Sequence, residues 1–491
     1  MDRPDPSLPP ILARRFPLAL RPLERKASGR RRRLRDRIAV PLLMALVFSV
    51  APALRVVSLV GLDLAARPAL ADDGGGGGGD GGDGGGGGEG SGGSDGGGFD
   101  DSGGDGGEDG GSGSGSEGSD HTRHAVAHEL VAVGPTEGLS AALASLGMHV
   151  IEETPFAALD LTAVRIGLPA QMSLATGKAL LQARLPSLQV DVNTLYRPMA
   201  SLTLPAPGDP ARLIGWPSPA SRCGAGLRVG MIDTGIDLQA PSLGGQRIHQ
   251  QSFLAAGQNP APPDHGTAIA GLLVGAATQS ASLGAGDLKG AAATASAAEG
   301  LLPQAELYAA AIFAADAKGG ATATAVRFAQ ALDWLVGAGI RAINVSLAGD
   351  DNLLIDLAVA RAAERGAVLV AAAGNGGRAA PPAYPAALEP VIAVTAVDID
   401  GRSYDQANRG DYIDVAAPGV RVVSPAAGLE TGTSFAAPFV TAWVAARIAE
   451  GGPADAAALH RAIAAGARDL GPQGHDPEFG WGLLQADGRC G

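Results

Sequence analysis

The chain has 491 residues, room for two to four domains, with 74 glycines and only 4% aromatic residues, which excludes a large aromatic-rich core. The net charge of −13 is uneven: residues 1–37 carry twelve Lys/Arg against four Asp/Glu, and residues 72–120 carry thirteen Asp/Glu and no Lys/Arg. What remains is mildly acidic, so a nucleic-acid binder that works by neutralising phosphates is excluded. Two cysteines, Cys223 and Cys490, exclude a disulfide-dense scaffold and a four-cysteine zinc site; they make one bridge if the domain is exported, and are otherwise two unrelated thiols.

In chain order, an arginine-rich segment ending at Arg37 precedes an apolar run, Ile38–Leu54, and Ala69 and Ala71 fit a signal-peptidase site ahead of Asp72. Residues 1–71 therefore read as a cleaved signal peptide or an uncleaved anchor associated with the membrane through 38–54. Both place the rest of the chain outside the cytoplasm, in an extracellular or periplasmic compartment. Residues 72–120 are Gly, Asp, Glu and Ser with Phe99 as the one large apolar residue, the composition of a flexible acidic tether.

Residues 121–198 alternate in the order β-α-β-β-α-β: strand 128–134, helix 136–147, strand character over 148–169 broken at Thr154-Pro155, helix 173–186 and strand 188–198. That order is the pattern of a small ferredoxin-like α+β domain. His121, His124 and His128 with Glu129 are either metal ligands or, more simply, solvated side chains. Residues 199–222, rich in Pro, Ser and Gly, read as an exposed linker open to cleavage.

Three motifs follow. LRVGMIDTGID (227–237) is a short apolar strand ending at Asp233 before a turn. DHGTAIAGLLVG (264–275) puts His265 at a helix start, where the positive end of the helix favours the neutral imidazole. GLETGTSFAAPFVTAWVAARIAE (428–450) puts Ser434 at the start of an apolar helix with Pro438 in its first turns. Alone, each residue is equally a turn or cap residue. Together they stand in the order Asp, His, Ser, each at an element end. That is the set needed for a nucleophile, its base and the carboxylate that orients the base. AVLVAAAGNGG (367–377) adds an oxyanion donor, Asn375, at the end of an apolar strand. An aspartic peptidase also uses D-T-G but needs two such carboxylates; Asp101-Ser102-Gly103 lies in the tether, so that alternative requires a homodimer to supply the second.

On these motifs the chain from about 224 to 487 resembles the subtilases, the subtilisin-like serine peptidases. DTG at Asp233, HGTAIAG at His265, GTSFAAP at Ser434 and AAAGN at Asn375 match the family's blocks, as do INVSLAG (343–349), DVAAPG (414–419) and FGWGLLQA (479–486). The resemblance implies a doubly wound α/β fold with a mainly parallel sheet and helices on both faces, in a catalytic domain over 223–491. It implies an exported serine endopeptidase acting on polypeptides through an acyl-enzyme. It assigns Ser346, Leu347 and Ala348 to substrate pairing and Gly374 to the wall of a specificity pocket. It also casts 121–198 as an inhibitory propeptide, removed by autoprocessing within 199–222. No cofactor is required, no metal ligands are assigned, and a structural calcium lacks a clear loop, since Asp287 is the one aspartate of the insertion 276–299. Two positions depart from the family pattern: Ala268 stands where a second histidine is common, and Phe435 where methionine is common after the nucleophile.

Overall fold

A computed structural model describes residues 124–198, 209–220, 222–277, 299–316, 320–452 and 455–490. The signal or anchor segment, the tether, most of the 276–299 insertion and residues 199–208 lie outside the described residues. The elements run β1 (Ala125–Val133), α1 (Leu139–Ser145), β2 (His149–Phe156), β3 (Leu161–Gly167), α2 (Leu174–Arg184), β4 (Gln189–Pro198), α3 (Pro210–Leu213), β5 (Arg228–Asp233), β6 (Arg247–Ser252) and α4 (Asp264–Val274). They continue with β7 (Glu306–Ala311), β8 (Ala314–Ala315), β9 (Ala321–Thr324), α5 (Ala325–Gly337), β10 (Ala342–Val345), β11 (Leu347–Ala348), α6 (Leu353–Glu364) and β12 (Val368–Ala372). The chain closes with β13 (Val391–Val397), β14 (Val415–Pro418), β15 (Val422–Ser424), β16 (Gly428–Glu430), α7 (Thr433–Ala449) and α8 (Ala456–Gly466).

One seven-stranded sheet has the order β14-β13-β12-β10-β5-β7-β6, and every pairing in it is parallel. Such strands are covered on both faces and read as continuous apolar runs; VLVAA in β12 and VIAVTAV in β13 are buried at every position. From β5 the chain goes first to the edge strand β6, steps back to β7 between the two, and then crosses to the other side to build β10, β12, β13 and β14 in turn. The order reverses between β7 and β10, and the carboxyl ends of β5 and β10 open onto the crevice where ligands of such sheets bind. Helix α7 is buried almost all round, and its Phe435 and Phe439 are each about 1% exposed, worth roughly 1.5–3 kcal/mol apiece.

Residues 125–198 fold in the order β-α-β-β-α-β with sheet order β2-β3-β1-β4. One face packs on its own helices through Leu130, Leu143, Ile166 and Leu181. The other face, with Val131, Val133, Phe156 and Ala163, joins the core of α5 and α6 through Phe328, Leu332, Leu354 and Ile355. Thr154-Pro155 does not break β2: Pro155 stays in register opposite Thr162, and it is tolerated because β2 is an edge strand. The break falls instead at the turn before Leu161.

The exposed linker expected over 199–222 is corrected for residues 209–220. Asp209 caps α3, Ile214 and Trp216 are 0% and 2% exposed, and the indole N–H of Trp216 donates to the Leu301 carbonyl (3.0 Å). Composition showed the prolines and glycines here, but not the two apolar anchors between them. Cys223 and Cys490 are bridged, with their Cα atoms 5.1 Å apart, joining the two ends of this unit.

Candidate active site

Asp233 is the last residue of β5 and fully buried. Its Oδ1 accepts from the Thr234 backbone N–H (2.6 Å) and from Nδ1 of His265 (2.7 Å); its Oδ2 has no hydrogen-bond partner among the described residues. His265 is the second residue of α4, and the glycine after it explains how the helix comes so close. A Cβ at Gly266 would stand 2.6 Å from the Gly235 carbonyl and 2.7 Å from that of Thr234. The bare backbone lets the Gly266 N–H donate to Thr234 Oγ1 (2.8 Å), locking the DTG turn onto the helix start. Thr267 Oγ1 accepts from the Asp237 N–H (2.8 Å) and donates to the Pro263 carbonyl (2.7 Å). Two threonines thus hold the carboxylate and imidazole in contact.

Ser434 is the second residue of α7 and fully buried, and its Oγ has no partner among the described residues. The next residue, Phe435, lies against the His265 ring, centroids 5.4 Å apart. At the end of β12, the Gly374 N–H donates to Thr433 Oγ1 (3.2 Å), whose hydroxyl donates to Asn375 Oδ1 (2.8 Å); the Thr433 N–H donates to the same oxygen (3.1 Å). Two donors on Oδ1 fix which way the amide points. Its Nδ2 is left buried with no acceptor among the described residues. An unpaired buried N–H₂ is costly in a folded protein and marks a place where an acceptor is meant to arrive.

Ser346 is not free to bond a substrate through its side chain: its Oγ donates to the Ser434 carbonyl (3.3 Å) and accepts from Asn344 Nδ2 (2.8 Å). Leu347 and Ala348 form β11, which pairs antiparallel with Pro198 and Arg197 of β4. The Gly374 carbonyl accepts from the Asn408 N–H (3.0 Å), placing this glycine beside Asn375 at the crevice. Glu430, on β16, is a further carboxylate here; burial pushes its pKa up, and the nearby His265 pulls it back. Thr433, Thr234 and Thr267 are the site residues the motif reading passed over, although each sits inside a quoted motif.

The subtilase family model matches residues 224–482, more than half the chain. The chain belongs to the subtilase family. This subtilase is 34% identical over 233 residues to a thermophilic serine proteinase of Bacillus sp. (strain AK1), covering 46% of this chain and 53% of that one. It is 35% identical over 165 residues to the minor extracellular protease Epr of Bacillus subtilis (strain 168), covering 32% of this chain and 25% of that one. The match thus spans about half or less of the length of these curated relatives. Among solved structures, fervidolysin from Fervidobacterium pennivorans, a keratinolytic enzyme related to subtilisin, shares the fold. That likeness has a TM-score of 0.59 at 20% identity over 74% of this chain and 61% of that one.

Proposed function

We propose that this subtilase is an exported serine endopeptidase, made as a zymogen that processes itself. The observation that carries the proposal is the Asp233–His265 contact beside two buried groups with no partner among the described residues, Ser434 Oγ and Asn375 Nδ2. In the reaction, Ser434 Oγ attacks the scissile carbonyl carbon while His265 Nε2 takes its proton. Asp233 holds the imidazole through Nδ1 and stabilises the imidazolium. Asn375 Nδ2 and the Ser434 N–H receive the oxyanion, a contribution of about 3–4 kcal/mol for such a side-chain donor. The C–N bond then breaks as His265 returns the proton to the leaving amine. Water, deprotonated by His265, attacks the acyl carbon, and Ser434 leaves with that proton. The chemistry requires no cofactor.

Residues 121–198 act as the inhibitory propeptide. The support is that the end of β4 pairs with β9 and β11, occupying the strand position of a substrate. Autoprocessing falls within 199–222. The basic segment and apolar run before Asp72 act as the export signal, a reading favoured by the extracellular relative. The test is labelling of the purified, processed protein with an organophosphonate, followed by peptide mapping. The adduct is expected on Ser434; folded, processed protein that stays unmodified at Ser434 contradicts the mechanism.

A further inference from the structure

Strand β10 carries one polar side chain, Asn344, among Ala342, Ile343 and Val345, and it is fully buried. Ser346, one residue past the strand, and Thr441, on α7, are fully buried as well. Buried polar side chains are kept where their hydrogen bonds are made, and here the bonds run in one direction. The Thr441 hydroxyl shares its proton between Asn344 Oδ1 (3.1 Å) and the Ala437 carbonyl (3.0 Å). Asn344 Nδ2 donates to Ser346 Oγ (2.8 Å), and Ser346 Oγ donates to the Ser434 carbonyl (3.3 Å).

The end of this relay has its reason in the helix. In α7 the Ser434 carbonyl would accept from the backbone N–H four residues on, but that residue is Pro438, which has none. The residue that carries the hydroxyl nucleophile therefore lacks its own helix donor, and Ser346 stands in for it. Thr441 lies two turns past Ser434 on the same helix face, so α7 also supplies the far end of the relay. On the other side of Ser434, the Thr433 N–H and hydroxyl both donate to Asn375 Oδ1 (3.1 and 2.8 Å). The backbone at Ser434 is thus held before its Cα from the end of β12 and after it from the end of β10, two strands that pair in parallel. Buried hydrogen-bond networks whose members are satisfied are rigid.

We infer that Asn344, Ser346 and Thr441 are positioning residues: they supply the hydrogen bond that Pro438 withholds and fix where α7 presents Ser434 Oγ. Ser346 acts through the Ser434 backbone rather than by bonding substrate with its hydroxyl. The inference rests on the peptidase reading for its effect on rate, while the relay itself is testable without catalysis.

In the processed enzyme, Ser346→Ala is expected to lower kcat about ten- to hundredfold with KM within about twofold, because a nucleophile out of line loses rate rather than affinity. Pro438→Ala returns an N–H to position 438, so in that background Ser346→Ala should cost less than about threefold. A kcat loss of the same size in both backgrounds, no loss in either, or a loss confined to KM overturns the inference. In the full chain carrying Ser434→Ala, which keeps the backbone carbonyl, hydrogen exchange of the 435–437 amides is compared with and without Ser346→Ala. Exchange there about tenfold faster, with β13 unchanged, supports the relay; equal rates, or a rise shared by β13, overturn it. Where Ser346→Ala does not fold, Thr441→Val, which breaks the relay at its far end, is read the same way in both experiments. If wild type cuts no peptide and Ser434 is not labelled, the peptidase reading fails, and the exchange experiment still decides the relay.

Discussion

Two carboxylates at the ends of parallel strands, Asp233 fully buried and Asp414 partly buried, each face a histidine. Asp233 ends β5 at the carboxyl edge and meets His265 Nδ1 at 2.7 Å. Asp414 precedes β14 at the amino edge, lies 3.5 Å from His460 Nε2 on α8, and accepts from the Ala393 N–H (2.7 Å). Burial pushes the Asp414 pKa up, and His460, the Ala393 N–H and His475 pull against that shift. Residue types alone do not separate the two pairs. Position does: the first lies at the strand reversal, with a serine hydroxyl and an amide nitrogen nearby that have no partner among the described residues, while the second ties α8 to the sheet. A carboxylate–imidazole contact becomes a candidate for chemistry only where a nucleophile and a charge acceptor share its crevice.

Substituting the histidines should separate the pairs most widely. His265→Ala is expected to lower kcat by roughly a million-fold, the size of loss when such a histidine is removed from subtilisin, a related enzyme. His460→Ala should leave kcat within about twofold and lower the melting temperature instead, an effect of the order of a few kcal/mol at most. Comparable kcat losses in both variants would break the contrast. Asn375→Ala ranks next, with an expected loss of about 10²–10³ in kcat and little change in KM, because the amide has no acceptor before charge develops. A loss confined to KM would make Asn375 a ground-state binding residue.

The smallest expected effect is on stability against pH. The folded-state pKa of Asp414 is raised, so the folded protein holds this proton more tightly than the unfolded chain. Its contribution is therefore intact below the ordinary carboxylate range of about 3.9 and is lost as pH rises from there to the raised value. Asp414→Asn should flatten that limb in thermal unfolding measured on the Ser434→Ala background. A limb that is unchanged or steeper would show that Asp414 titrates as an ordinary carboxylate.

Much of this geometry was legible because the motifs sit at element ends. Asp233 closes an apolar strand, and His265 and Ser434 open apolar helices, so their places in the fold followed from local pattern. The β-α-β-β-α-β order of 125–198 was legible for the same reason. What could not be read depends on partners distant in the chain. The orientation of Asn375 is set by Thr433, 58 residues away. The burial of Trp216 depends on Leu301, 85 residues away, and the seat of Tyr196 on Asp350, 154 residues away. Pro155 misled because proline is judged by propensity, whereas an edge strand supplies a site where its missing N–H costs nothing. The export segment and the glycine-rich tether rest on composition alone, outside the described residues.

The central claim, a self-processing serine peptidase with its inhibitor in the same chain, is tested most directly by intact mass and N-terminal mapping of wild type beside Ser434→Ala. The account predicts that wild type begins within 199–222 and that Ser434→Ala retains residues 121–198. Folded protein that keeps 121–198 in both forms, with wild type cleaving no unfolded polypeptide, would contradict it.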